Sequence, residues 1–226
     1  MDEGDHGRNN ENAKMLDAAL SLGERGFCVF PIRQPYERVL GKYFAKKNGK
    51  YPASVMDLRT ASSDREAILR AFKSRQNANI GILTGRKCNL VIIDVDFPVG
   101  GESSMKNLDL PSTLTAATGD GLHLYYRHPG IDIPTCAGQL APGIDVKGEH
   151  SFATVPPSLH YSGVRYQWLD KSAEIGELPA ATVDAMRGLP HRSLFRDIVH
   201  ISALANVLLP ISAVLGMLIH DSKQKS

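Results

Sequence analysis

Two aspartates directly follow an apolar run in the sequence LVIIDVD, which occupies residues 90–96. The run is uncharged and rich in β-branched residues, so it predicts a buried central strand. Because side chains alternate along a strand, Asp94 and Asp96 are expected on the same face. Two like charges on one face repel each other, and a hard divalent cation such as Mg²⁺ would remove that repulsion. Taken alone, however, a D-x-D pair is short and common, and it is more typical of solvated residues at the end of a strand.

A third carboxylate occurs in the sequence GIDVKG, residues 143–148. Asp145 lies between β-branched residues on a predicted short strand bounded by glycines, and alternation places Lys147 on the same face. An internal ion pair at a strand end explains this pattern as well as a functional site does.

A histidine follows the glycine-containing turn at residues 118–121, in a stretch that reads LHLYY. Alternation places His123 and Tyr125 on one face of a predicted strand. A histidine in a strand is more often a structural residue than a catalytic one. The glycine turn nevertheless lets backbone come close to whatever His123 contacts, which favours a functional role more than the residue type alone does.

Basic residues cluster in two predicted loops. Residues 33–60 are expected to be irregular, and they contain four lysines around two glycines, while Arg86 and Lys87 occupy a turn between two predicted strands. A solvated surface is the usual explanation of a lysine cluster, and a phosphate-contacting loop is the minority alternative.

The hydrophobic periodicity predicts a mixture of helices and short strands. The strands at 80–83 and 90–96 are predicted to pair as a hairpin whose far end presents the aspartates. One helix is predicted to end near residues 23–26, a second opens at a capping box at 63–66, and a third covers 180–189. Further strands are predicted at residues 27–32, 113–117, 122–126, 151–155 and 166–168.

The composition is that of a globular protein with enough material for a core. The chain has 226 residues, of which 22% are charged and 42% hydrophobic, and its net charge of +2 permits nucleic-acid binding without indicating it. Cys28, Cys88 and Cys136 are far apart, so we expect reduced thiols and neither a disulfide framework nor a cysteine zinc site. Residues 1–12 are predicted to be a disordered leader without a secretory signal, and we therefore expect a cytoplasmic protein.

The C-terminal segment is unusually apolar. Between residues 198 and 219 the only titratable side chain is His200, and a run of about 20 apolar residues is long enough to span a bilayer. Asn206 and Pro210 weaken that interpretation, so we favour helices that pack on the body or bind a partner over a membrane anchor, which stays the alternative. The predicted organisation is a leader at 1–12, a folded domain at 13–189 and a helical tail at 190–226.

The order of these motifs is typical of one family. GILTGR precedes LVIIDVD, TGDGLHLYY follows, and GIDVKG precedes VPPS. In this order, and with these glycines, they resemble the bifunctional primase–polymerase (Prim-Pol) domain of the archaeo-eukaryotic primase superfamily. The resemblance runs from about residue 26 to residue 168 and includes RGFCVFPI and GKYP near its start.

The resemblance implies a two-part α+β fold in which an RRM-like, mainly antiparallel sheet carries the active site. It implies that Asp94, Asp96 and Asp145 bind two divalent ions, Mg²⁺ or Mn²⁺, and that these ions serve nucleotidyl transfer. It also implies that His123 and Lys147 contact the phosphates of the incoming nucleotide. The same motifs predict three further nucleotide-binding residues: Gly121, Arg86 and Lys50.

The sequence departs from the family pattern at several places. Gly121 stands where many superfamily members have serine, and EHSF at residues 149–152 replaces a glycine pair and an aromatic residue. We expect the second change to alter nucleotide fit or sugar selection. The sequence contains neither a cysteine/histidine zinc knuckle nor a G-x-x-x-x-G-K-[ST] helicase motif, so we expect a stand-alone domain or a fragment of a longer protein.

The function that the resemblance predicts is template-directed nucleotidyl transfer by a DNA primase, a DNA polymerase or both. The expected partners are a single-stranded DNA template with its primer, dNTP or NTP, and a separate helicase, in the replication of a plasmid, phage or integrated element. Two alternatives stay open. One is a nucleic-acid-binding module with a degenerate site, and the other is a metal-dependent nuclease, against which the pairing of His123 with Lys147 argues mildly.

Overall fold

The computed structural model describes residues 3–35, 38–39, 42–43, 55–73, 75 and 78–190, and the side chains of residues 11–35, 58–73, 75 and 78–190. In chain order, the elements within these residues are α1 (Glu3–Glu24), β1 (Val29–Ile32), β2 (Arg38–Val39), β3 (Lys42–Tyr43), α2 (Val55–Thr60), α3 (Arg65–Lys73), β4 (Asn79–Leu83), β5 (Leu90–Asp96), α4 (Gly101–Lys106), β6 (Thr115–Ala117), β7 (Gly121–Arg127), β8 (Cys136–Ala141), β9 (Ile144–Lys147), β10 (Phe152–Val155), β11 (Gln167–Trp168) and α5 (Ala180–Arg187). Short 3₁₀ turns cover Arg86–Cys88 and Phe97–Val99.

The strands form two larger sheets, and all their neighbours are antiparallel. One sheet has the order β1-β4-β10, the other has the order β11-β6-β7-β5-β9-β8, and β2 pairs with β3. The predicted α+β class with mainly antiparallel sheets is therefore confirmed. The RRM-like arrangement stays a prediction, and beyond residue 190 the predicted helical tail lies outside the described residues.

The central strand β5 is buried on both faces, as its apolar run predicts. Leu90, Val91, Ile92 and Ile93 are each at most 1% exposed. Alternation sends Leu90 and Ile92 into one hydrophobic cluster, and Val91 and Ile93 into another on the opposite face. Each buried side chain of this size contributes about 1.5–3 kcal/mol relative to an exposed one. The strand is thus anchored firmly just before its aspartates.

The two clusters cover opposite faces of the six-stranded sheet. The first cluster contains residues of α1, α3 and the three-stranded sheet, and the second contains Val183 and Met186 of α5. Asp94 and Asp96 continue the β5 face that carries Leu90 and Ile92, but they lie beyond the apolar part of that face. The carboxylates therefore lie where the first cluster ends and the sheet becomes accessible to solvent.

The predicted hairpin between residues 80–83 and 90–96 is wrong. The two strands exist, as β4 and β5, but β4 pairs with β1 and β10 whereas β5 pairs with β7 and β9. Both strands are apolar and adjacent in the chain, so local pattern alone favours pairing them. Strand neighbours are instead selected by long-range burial, and each of these strands is central in its own sheet.

The N-terminal helix also differs from the sequence prediction, because α1 begins at Glu3 and thus includes most of the predicted disordered leader. Residues 3–12 contain no proline, and extending an existing helix is far easier than nucleating a new one. Similarly, α2 and the short strands β2 and β3 lie within the stretch 33–60, which was predicted to be irregular.

Candidate functional site

The central feature of the site is a row of side chains that runs across three neighbouring strands. In the register of β5 with β7, Asp94 lies opposite His123, and in the register of β5 with β9 it lies opposite Asp145. Residues directly opposite each other on one face of a sheet have Cβ atoms about 4.5–5.5 Å apart. The sheet therefore brings together residues from all three of the motifs that the sequence analysis selected.

A lysine ammonium group lies between the two carboxylates of this row. Lys147 Nζ is 3.2 Å from Asp94 Oδ2 and 3.4 Å from Asp145 Oδ2, and the Lys147 side chain is only 17% exposed. The other oxygen of Asp145 accepts a hydrogen bond of 2.9 Å from the backbone N–H of Gly138 in β8. The alternative of an internal ion pair between Asp145 and Lys147 is thus realised, whereas a phosphate contact by Lys147 stays a prediction.

His123 closes the row on the β7 side. Its Nε2 atom is 3.4 Å from Asp94 Oδ1, and its side chain is 7% exposed. Its other ring nitrogen, Nδ1, is buried and has no hydrogen-bond partner among the described residues. The ring is flanked by Tyr125 and Tyr166, with centroid distances of 6.4 and 5.7 Å. The imidazole is therefore held by aromatic neighbours, with Nε2 directed at Asp94 and Nδ1 buried.

The charges in this cluster stabilise one another. Burial disfavours the ionised form of Asp94, but the charges of Lys147 and His123 outweigh it, so the pKa of Asp94 lies well below its usual range. Burial likewise opposes the charge on Lys147, yet Asp94 and Asp145 outweigh it and raise the pKa of Lys147. At neutral pH both Asp94 and Lys147 are therefore charged.

Acid should destabilise the protein partly through Asp94. Because its folded-state pKa lies below the ordinary value of 3.8, the carboxylate contributes stability that is present above about pH 4 and is lost as the pH falls below it. We expect Asp94→Asn to be less stable than wild type at pH 7 and to lose less stability between about pH 5 and about pH 3. Thermal unfolding measured at these pH values checks this, and parallel stability profiles of the two proteins would contradict it.

Lys147 affects the pH dependence of stability in the opposite direction. Because its pKa is raised, the stability that it contributes is lost only as the pH rises above 10.5.

Asp96 lies at the end of β5 and is exposed, opposite Gly121 of β7. A Cβ atom on Gly121 would overlap the carbonyl oxygen of Val95. Glycine is therefore needed here for the close approach of β5 and β7, which gives a physical reason for the absence of serine at this position. The predicted contact of Gly121 with a nucleotide stays a prediction.

Arg86, another predicted nucleotide-binding residue, is not brought to this row. Arg86 lies in the 3₁₀ turn before β5, where the neighbouring Gly85 N–H bonds the Leu90 carbonyl at 2.7 Å. Four residues of strand, or about 13 Å, separate Leu90 from Asp94. Lys50 lies outside the described residues. Nucleotide binding by Arg86 and Lys50 remains a prediction.

The sequence departure at Glu149 has a structural counterpart at this same remote end of the sheet. The Glu149 carboxylate lies 2.8 Å from His128 Nε2, and its two oxygens are 3.2 and 3.3 Å from the backbone N–H donor of Arg86. Its side chain is 15% exposed. Glu149 thus ties the connection after β9 to the turn before β5, and its expected effect on nucleotide fit stays a prediction.

A polar cluster beside His123 was not predicted from the sequence. Tyr166 packs against both His123 and His160, with centroid distances of 5.7 and 5.6 Å. Asp120 Oδ2 accepts a hydrogen bond of 2.7 Å from the Tyr161 hydroxyl and lies 3.7 Å from His160 Nε2. Asp120 directly precedes β7, but only the polar and aromatic composition of the loop after PPS could have suggested His160, Tyr161 and Tyr166, because nothing in their spacing links them to β7.

Neither a three-residue metal-binding cluster nor a membrane-spanning helix occurs among the described residues. Within them, no group of three or more His, Cys, Asp or Glu side chains is arranged to hold a metal ion. In the same part of the chain, no helix has the length and apolar character needed to cross a membrane.

The fold and the site together define an α+β domain whose central antiparallel strand presents carboxylates beside a histidine and a lysine. A comparison with protein families matches residues 19–181 to the family described as bifunctional DNA primase/polymerase, N-terminal (Prim-Pol). The match covers more than two thirds of the chain, which therefore belongs to this family and confirms the resemblance. A comparison with curated proteins finds no match. Membership implies an enzyme of the DNA primase/polymerase type that acts on DNA and nucleotides, and such enzymes generally use divalent metals.

Proposed function

We propose that this chain is a template-directed nucleotidyltransferase, acting as a DNA primase, a DNA polymerase or both. Its proposed substrates are a single-stranded DNA template with a primer and dNTP or NTP, and it would act in the replication of a plasmid, phage or integrated element. The observation that carries the proposal is the cross-strand row of His123, Asp94 and Asp145, with the Lys147 ammonium group between the two carboxylates.

The carboxylates suit the divalent ions that the family uses. Asp94 and Asp145 already direct one oxygen each at a single positive charge, that of Lys147, and carboxylate oxygens are ligands that Mg²⁺ and Mn²⁺ prefer. Asp96 follows on the same face of β5 and is exposed. When bound, two such ions supply activation of the primer 3′-hydroxyl and stabilisation of the charge on the triphosphate. The proposed ligands are Asp94, Asp96 and Asp145.

The basic residues of the row would bind the nucleotide. In this proposal the Lys147 ammonium group leaves the carboxylates when cations bind there and turns to the phosphates of the nucleotide. The same ammonium group would thus neutralise the carboxylates before the cations bind and the phosphates afterwards. His123 would donate a hydrogen bond from its imidazole to the same phosphates and offset charge on the departing pyrophosphate. Positioning and charge stabilisation are the main tasks of the protein in phosphoryl and nucleotidyl transfer.

A gel assay on primed and unprimed templates tests the proposal. With Mn²⁺ or Mg²⁺ and labelled dNTPs, the purified chain should extend the primer, and Asp94→Ala/Asp96→Ala should not. Products on the unprimed template would add primase activity to polymerase activity.

The other outcomes of this assay separate the alternatives. Absence of products from both templates, together with DNA binding that persists in EDTA and does not increase with Mn²⁺, would replace the proposal by a degenerate binding module. Release of mononucleotides from DNA without added dNTPs would instead indicate a metal-dependent nuclease.

A further inference from the structure

The orientation of the His123 ring depends on its neighbours. The ring torsion of a histidine has broad preferences, so the backbone alone does not fix which way the imidazole faces. In many functional sites a hydrogen bond to the second ring nitrogen sets the orientation. In His123, Nε2 lies 3.4 Å from Asp94 Oδ1, whereas Nδ1 is buried and none of the described residues forms a hydrogen bond with it. Packing around the ring must therefore hold the imidazole in place.

Two tyrosine rings provide this packing. The Tyr125 ring, two residues along β7 on the same face, has its centroid 6.4 Å from that of His123 and stands at 68° to it. The Tyr166 ring lies 5.7 Å away at 41°, and it comes from the connection between β10 and β11. Both separations are within the range of about 4.5–7 Å that is typical of interacting rings. Since Tyr125 belongs to the same strand as His123, Tyr166 is the support that another part of the fold contributes.

The segment that carries Tyr166 is fixed to the three-stranded sheet. The Asn79 side chain on β4 donates a hydrogen bond of 2.8 Å to the Leu159 carbonyl and accepts one of 2.9 Å from the Leu159 N–H. The Ser158 hydroxyl accepts a hydrogen bond of 2.8 Å from the Ile80 N–H, and the Ser158 carbonyl accepts one of 2.9 Å from the Tyr166 N–H. Both Asn79 and Ser158 are fully buried. The position of Tyr166 is thus set by β4, in the other sheet from His123.

His160 packs against Tyr166 in turn. The two rings have centroids 5.6 Å apart and are nearly perpendicular, and both residues are 4% exposed. His160 Nδ1 lies 2.8 Å from the Ser162 hydroxyl oxygen, and a Cβ atom on Gly119 would overlap the His160 ring. The His160 imidazole therefore fills the space between Tyr166 and the turn before β7. Tyr166 is packed against two imidazoles and has little room to move.

We propose that Tyr166 is a positioning residue, whose ring holds the His123 imidazole in the cross-strand row with Nε2 facing Asp94. This inference rests on the proposed nucleotidyl transfer, in which His123 would donate a hydrogen bond to the phosphates of the nucleotide. Tyr166 acts through His123 and does not touch the nucleotide. A hydrogen bond weakens steeply as its angle departs from linear, so a tilted imidazole would donate poorly even though it is still present in the site.

A double-mutant cycle on primer extension tests this role. Tyr166→Leu removes the flat ring but keeps much of the apolar volume, and it should lower the rate at saturating nucleotide by about 30-fold. In the His123→Ala background the same change should lower the rate by no more than about twofold, because the residue through which Tyr166 acts is gone. Tyr166→Phe keeps the ring and should recover most of the loss. Equal losses in the two backgrounds would overturn the proposal, since Tyr166 would then support only the fold.

NMR relaxation in EDTA gives a second readout that needs no activity. In protein with ¹³C-labelled histidine, the ring signals of His123 are identified by their loss in His123→Ala, and their relaxation reports the mobility of the ring. We expect a rigid His123 ring in wild type and in Tyr166→Phe, and a mobile one in Tyr166→Leu. The ring of His128, whose side chain is 1% exposed at the far end of the sheet, should stay rigid in all three proteins and serves as the control for folding.

The NMR result separates this inference from the proposed function. If the wild-type protein incorporates no nucleotide, the proposed function fails, and the relaxation data still decide whether Tyr166 holds His123. A His123 ring that is as rigid in Tyr166→Leu as in wild type would overturn the inference. A mobile His123 ring in the wild-type protein would overturn it without any variant.

Discussion

Replacing Asp94 by asparagine should lower nucleotide incorporation by about 10³-fold or more while the protein stays folded. Asp94 is the residue that the register places opposite both Asp145 and His123. Its carboxylate lies close to both the His123 imidazole and the Lys147 ammonium group. Asparagine has nearly the same shape and keeps hydrogen-bonding atoms, but it lacks the charge that would attract a divalent ion. The measurement is the rate of primer extension under single-turnover conditions, at a temperature well below the melting temperature of the variant.

The matched control for this variant is Asp109→Asn. Asp109 is exposed and lies in the connection between α4 and β6, so the same loss of charge should leave the extension rate within about twofold of wild type. Asp145→Asn should behave like Asp94→Asn. If Asp94→Asn kept more than a tenth of the wild-type rate, the proposed role of this row in catalysis would be wrong.

Replacing Lys147 by methionine should lower the free energy of unfolding by about 2 kcal/mol in EDTA at neutral pH. Breaking a buried ion pair leaves unpaired charge, and here two carboxylates, 24% and 31% exposed, would face each other without the ammonium group between them. Their partial exposure to solvent makes the expected loss smaller than for a fully buried pair. We expect Mn²⁺ to recover much of this loss, because a divalent cation can take the place of the missing positive charge. Denaturant unfolding in EDTA and in Mn²⁺ measures both effects.

Lys106→Met provides the control for the lysine substitution. Lys106 forms an exposed ion pair with Glu102 one turn away on α4, so its loss should cost no more than about 0.5 kcal/mol and should not depend on Mn²⁺. Equal responses of Lys147→Met and wild type to Mn²⁺ would argue against cation binding by Asp94 and Asp145. They would also leave the ion pair of Lys147 as a purely structural feature.

Much of the local structure was predictable from the sequence because it depends on short-range periodicity. The strands β5, β7 and β9 were predicted within one residue at most ends, and the shared face of Asp145 and Lys147 follows from alternation. In contrast, β8 was not predicted, because CAGQLA has few β-branched residues and becomes a strand only by pairing with β9. The hairpin between β4 and β5 was predicted wrongly for the related reason that local pattern does not select strand partners.

The sequence by itself determined which residues alternate onto one face of each strand, and its motif order was enough to indicate the Prim-Pol family. Only the tertiary structure decided that β5 lies between β7 and β9, that Asp94 stands opposite both His123 and Asp145, and that Lys147 lies between the carboxylates. It also brought Tyr166 to His123 from a distant part of the chain. The physical reason is that alternation acts over neighbouring residues, whereas strand order and register depend on burying both faces of the whole sheet.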